Sequence, residues 1–192
     1  MKLFMCFLLL FGGAAARSQS QVPERTQDEK LRFTSINQVG FLAGASASEL
    51  QLQSINGVRW KGLSAGAGAG LDYYYYRSVT AFVDVRKNLK YRSFPFFVYG
   101  AIGANLPWVY RADENPWFSS NYGNGWYGDA GLGHKIPLGK TTAILLNIGY
   151  SVKTFEEERT NRIPCTTGFC PGSKERLNYG LRRISVRTGV QF

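Results

Sequence analysis

The stretch "LSAGAGAGLDYYYYRSV", Leu63 to Val79, decides how the chain is read. Alternating Gly and Ala is the composition of silk-like stacks, yet this repeat occurs once, is short and ends in tyrosines. Sorted by parity, one face carries Leu63, Ala65, Ala67, Ala69, Leu71 and Tyr73. The other carries Ser64, Gly66, Gly68, Gly70, Asp72 and Tyr74. Strict period-2 alternation marks a β-strand between two different environments. One face is uniformly apolar and the other tiny or polar, so the rest of the chain must decide which face is inside.

The 192 residues suit one domain, and 22 Gly, 15% aromatics and only 19% charged residues lean toward an aromatic-rich β protein. Mean hydropathy, -0.19, is uninformative. A helical membrane protein needs apolar runs of about 20 residues, whereas transmembrane strands hide in average hydropathy because every second residue is polar. The net charge of +10 is scattered, with no dense basic run, and gives no reason to expect nucleic acid as a partner.

The start "MKLFMCFLLLFGGAAARSQSQ" has the layout of a secretory signal peptide: Lys2, an apolar core from Leu3 to Phe11, then Ala14, Ala15 and Ala16. Residues 1–18 are therefore expected to be cleaved. A flexible periplasmic lead-in, 19–32, follows. Of the remaining cysteines, Cys165 and Cys170 sit in "IPCTTGFCPG". Two thiols this close in an exported polar segment point to a disulfide rather than a metal site, for which a single His leaves too few ligands.

From Phe33 the pattern is strand after strand, near 33–45, 49–60, 63–74, 79–88, 95–106, 125–136, 141–154 and 179–192. On the seventh, Ile144, Leu146, Ile148, Tyr150 and Val152 oppose Asn147, Gly149, Ser151 and Lys153. On the eighth, Ile184, Val186, Val190 and Phe192 oppose Arg183, Ser185, Arg187 and Gln191. The polar face carries Arg59, Asp72, Asp84, Arg86, Asp129, Lys135, Lys153, Arg183 and Arg187. A sandwich with a shared apolar core does not leave charges of both signs opposite a continuous apolar band. A closed barrel in lipid does, with the apolar face outside and the charges paired inside.

Connection lengths agree with this. Turns at 61–62, 89–94 and 137–140 fall on one side, and connections at 46–48, 75–78, 107–124 and 155–178 on the other, with both long ones on the same, outer side. Aromatics sort into an inner girdle (Phe33, Trp60, Tyr91, Phe94, Phe96, Phe192) and an outer one (Tyr73 to Tyr76, Trp108, Tyr110, Trp126, Phe155, Tyr179). Ala then faces lipid, and inward Gly makes room for bulky interior neighbours. The expected fold is all-β, an eight-stranded antiparallel up-and-down transmembrane β-barrel over 33–192.

In "GAGAGLDYY", "FVDVRKNL", "PFFVYGAIGANL", "GDAGLGHKIPL" and "SVRTGVQF" the chain resembles the small outer-membrane β-barrels of Gram-negative bacteria, the porin-like "outer membrane protein beta-barrel domain" group. The resemblance implies residence in the outer membrane among lipid and lipopolysaccharide. It also implies recognition of the terminal Phe192 by the barrel assembly machinery.

Catalytic chemistry is hard to find. The lipid A deacylase type of barrel resembles a His-x-Ser arrangement, but here the single histidine reads His134-Lys135-Ile136. A girdle histidine is the simpler account. An eight-stranded barrel has room for side chains and little else. The expectation is therefore a non-enzymatic barrel without catalytic, cofactor or metal residues, with a structural or surface-interaction role through its two long outer loops and an unknown surface ligand. A lipid A-modifying enzyme and a small porin-like channel are the alternatives.

Overall fold

Lys61 and Gly62 both lie at positive φ, 45° and 79°, the two-residue hairpin geometry whose twist matches that of the strands it joins. The strands are β2 (Ser48–Trp60) and β3 (Leu63–Asp72), and the same up-and-down step builds the whole molecule. The computed structural model describes residues 30–44, 48–73, 77–91, 94–108, 118–139, 141–165 and 168–192, with side chains at all of these except 90–91, 118, 162–165 and 168–171. The expected signal peptide, the lead-in up to residue 29, Tyr74 to Tyr76 and Tyr110 lie outside the described residues.

The other strands are β1 (Arg32–Ala43), β4 (Ser78–Tyr91), β5 (Phe94–Pro107), β6 (Phe118–Gly123), β7 (Gly125–Pro137), β8 (Ala143–Cys165) and β9 (Gly168–Gln191). All pairings are antiparallel, in the ring order β1-β2-β3-β4-β5-β7-β8-β9, and β9 closes on β1. The fold is an eight-stranded antiparallel up-and-down transmembrane β-barrel.

The register sets the barrel's shape. A row of paired residues leaves β5 at Phe96, passes His134, Leu146, Thr188, Val39, Leu52, Leu71 and Val79, and returns to β5 at Leu106. That stagger of ten residues over eight strands tilts them by roughly 40–45°. From Leu63 to Tyr73 the wall then spans about 24 Å, the height of a transmembrane apolar band.

Inside and outside alternate along every wall strand. β3 exposes Leu63, Ala65, Ala67 and Ala69 and buries Ser64, Gly70 and Asp72. Val83, Ile102, Leu132, Ile148 and Val186 stand exposed on the outer face, each more than half accessible.

The long connections differ from expectation. Most of 155–178, read as a loop, is paired strand, because β8 and β9 run on past the barrel as one hairpin. Part of 107–124 is β6, which pairs with the same extension of β8. Between Gly123–Glu156 and Tyr127–Lys153, four steps on one strand face three on the other, so a bulge at Asn124 joins β6 to β7. These stretches were hidden because above the membrane both strand faces are wet, so pairing continues while period-2 hydropathy disappears.

Phe155 and Tyr179 also depart from the expected outer girdle. Phe155 is buried on the inward parity and stacks on Tyr179 at 4.6 Å, so the pair covers the barrel mouth instead of meeting lipid.

Candidate functional site: a filled lumen beneath an external sheet

Inward side chains cross the barrel in layers. At the inner end, Lys135 donates to Gln191 at 2.7 Å, and Gln191 donates to Thr34 at 2.9 Å. Above them Arg86 holds Asp84 at 2.7 Å from two residues away on the same strand, and its guanidinium lies over Phe97 and Tyr99.

The central layer hangs on Asp129. It accepts from Arg187 at 3.0 Å, from Tyr99 at 3.0 Å and from Tyr127 at 3.1 Å. Arg187 also reaches Gln53, which donates to Tyr127 at 2.9 Å. Gln38 and Asn147 extend the chain of amides. Near the outer end Lys153 pairs with Asp72, and Ser78 donates to the same carboxylate at 3.0 Å.

Of the nine charged residues on the polar parity, Asp72, Asp84, Arg86, Asp129, Lys153 and Arg187 are buried in these layers. Arg59, Lys135 and Arg183 are half-buried toward the two ends, with Arg183 donating to the Leu42 carbonyl at 3.4 Å. Three buried carboxylates each meet one cation, which is the arrangement that makes burial of charge tolerable.

Periodicity did not single out the apolar part of the filling: Ile36, Ile55, Phe82, Phe97, Tyr99, Tyr127 and Leu145 form one buried cluster inside the barrel. Inward glycines are its sockets. A Cβ on Gly133 would stand 2.1 Å from Phe97 Cζ, and one on Gly68 would stand 2.6 Å from the Phe82 ring. The signal was present in the inward parity of Phe97 and Tyr99, but which glycine faces which ring depends on register.

Above the rim, β6, β8 and β9 make a three-stranded sheet tied together by Glu157, which is only 2% exposed. It accepts from Ser120 of β6 at 2.7 Å, from Tyr179 of β9 at 2.8 Å and from Arg159 at 3.2 Å. Burial pushes this carboxyl up, but the three hydrogen bonds outweigh it and hold the group below its ordinary value. Tyr122 and Phe155 add an aromatic contact at 6.4 Å.

His134 lies on the lipid-facing parity, with its ring 5.5 Å from Phe96. Among the described residues no group of three or more His, Cys, Asp or Glu side chains gathers where a metal ion would sit. The register sets Cys165 opposite Gly168 and Cys170 opposite Ile163; the cysteine side chains themselves lie outside the described residues.

The solved structures contain a similar chain, the outer membrane protein AlkL, determined by solid-state NMR in DMPC lipid bilayers. The two align with a TM-score of 0.52 over 90% of this chain and 95% of that one, at 11% identity. The likeness is of fold. No family model matches, and no curated protein matches.

Proposed function

We propose that this chain is an integral outer-membrane β-barrel, exported by its leader, that acts without catalysis by presenting the β6-β8-β9 sheet at the cell surface. The observation that carries this reading is the continuation of β8 and β9 beyond the barrel as paired strands, with β6 as a third. A hairpin that merely closed the wall would need a few residues. Here it is long, and a buried carboxylate fastens it to its neighbours.

The filled lumen supports a presenting role over a channel. Side chains cross it at several levels, and the carboxylates that would attract a permeating cation are already paired. The lipid-facing His134 beside Phe96 reads as part of the inner girdle, not as a deacylase centre. Phe192, exposed just past the last paired residue of the closing strand, offers an aromatic ring that assembly machinery could recognise.

The test compares cells carrying the full protein with cells in which residues 157–177 are replaced by a two-residue turn. Both proteins should fractionate with the outer membrane and migrate heat-modifiably. Only the full protein should add binding on immobilised glycan and matrix-protein arrays. Equal binding by both, or stepwise conductance of the full protein in planar bilayers, would overturn the reading.

A further inference from the structure

Among the described residues, Thr188 of β9 stands alone as a polar side chain on the outer face within the apolar band, whereas four others stand together. Asn37, Ser54 and Asn56 are exposed and Ser35 is half-exposed, on adjacent strands β1 and β2. The register pairs Asn37 with Ser54 and Ser35 with Asn56, so they form a two-by-two block. Asn37 and Asn56 are each four residues from an inner-girdle aromatic, Phe33 and Trp60, about 10 Å into the band. Among the described residues none of the four side chains makes a hydrogen bond.

The block is flanked by small side chains, and its Asn37 and Ser54 border a groove. Ala67 and Ala69 of β3 are the register partners of Asn56 and Ser54, and Ala81 of β4 is that of Ala69. An open groove of about 770 Å³ runs over Asn37, Val39, Leu52, Ser54 and Ala69. Acyl chains fill such a groove but offer an amide no partner, and an unpaired amide in hydrocarbon is costly. The occupant must donate and accept hydrogen bonds.

Strand tilt identifies that occupant. A step from β1 to β2 along the register climbs about 3 Å, and two residues down β2 descend about 5 Å. Asn56 is two residues below Ser54, so Asn37 and Asn56 stand at one height to within about 2 Å and about 8 Å apart along the membrane. Ser54 lies above the midpoint between them and Ser35 below it, in one vertical line. Two copies inserted with the same orientation are related by a two-fold axis parallel to the membrane normal, which matches residues of equal height. Place that axis on the Ser54–Ser35 line, and Asn37 of each copy meets Asn56 of the other.

We propose that the outer face of β1 and β2 is a homodimer interface in which Asn37 pairs with Asn56 of a second copy across an axis running past Ser54 and Ser35. This rests on the transmembrane reading of the barrel. An amide both donates and accepts, so one patch is complementary to itself, and the alanines let the two walls approach closely.

The experiment uses cells expressing the protein with Cys165→Ser and Cys170→Ser and a single added cysteine. Ser54→Cys is expected to form a disulfide-linked dimer in the outer membrane under mild oxidation. Leu132→Cys, exposed on the opposite wall, is expected to stay monomeric. Adding Asn37→Leu and Asn56→Leu to Ser54→Cys should abolish the crosslink while heat-modifiable migration persists, which separates failure of the interface from failure of the barrel. Equal crosslinking at positions 54 and 132, none at 54, crosslinking of 54 to a different protein, or a crosslink that survives both leucines would each overturn the proposal.

Discussion

Arg187 of β9 and Asp129 of β7 meet at 3.0 Å across the intervening β8, with side chains 3% and 0% exposed. Neither residue is near the other in sequence, and the pair sits where Tyr99, Tyr127 and Gln53 also converge. Arg187→Ala leaves a buried carboxylate without its cation and is expected to destabilise the barrel by about 3–5 kcal/mol. Replacing both partners, Arg187→Met with Asp129→Leu, should cost much less, because no charge is stranded. Urea unfolding in lipid vesicles, followed by heat-modifiable migration, reads the difference. Equal losses for the single and double variants would mean the pair is wet.

Gly133 and Phe97 test the socket. The added methyl of Gly133→Ala meets the Phe97 ring at 2.1 Å, and a ring locked among Tyr99 and Arg86 has little room to yield. The expected loss is about 1–3 kcal/mol, recovered in part by Phe97→Leu. If Gly133→Ala is as stable as the parent in the same urea assay, the interior is looser than the contacts indicate.

The external sheet should depend on pH through Glu157. Its carboxyl is held below its ordinary value, so the folded sheet favours the ionised form. That stabilisation is complete above the ordinary glutamate range of about pH 4–5 and is lost as pH falls through the lower folded value. Amide NMR signals of Ser120 and Tyr122 in micelles should therefore shift toward unpaired positions in acid. Glu157→Gln, which cannot ionise, should remove this pH dependence at those two amides.

Cys165 and Cys170 are expected to be oxidised to a disulfide in the exported protein. Maleimide applied to intact cells should label them only after reduction. Reduction should leave the urea midpoint nearly unchanged, because the bond closes a small loop at the hairpin tip, far from the barrel ladder. Labelling without reductant would show free thiols.

His134→Ala is expected to leave both insertion and the lipid A profile as they are, the ring contributing only its packing on Phe96. Mass spectrometry of extracted lipid A checks this, and an altered profile would mean that the histidine takes part in chemistry.

The alternation in "LSAGAGAGLD" and its counterparts determined by itself that the chain forms a barrel with an apolar outer face. Lipid and lumen impose opposite solvents on alternate residues, and that constraint is written locally in every strand. It also located the wall strands closely: 63–74 was expected against Leu63–Asp72, and 95–106 against Phe94–Pro107. Above the rim the constraint vanishes, so the continuation of β8 through "EEERTNRIPC" and the short β6 carry no periodic signal, although they are paired. Inside, the partners of Asp129 and the glycine under each ring follow from the ten-residue stagger. Gln38 meets Asn147 across 109 positions of chain, and no local pattern encodes such a meeting. The polar block of Ser35, Asn37, Ser54 and Asn56 is equally silent: each looks like an ordinary polar strand residue until pairing and tilt bring the four together in the lipid-facing wall. Parity is a property of neighbours in sequence, whereas register and tilt are properties of the closed ring, which exists only once the last strand has met the first.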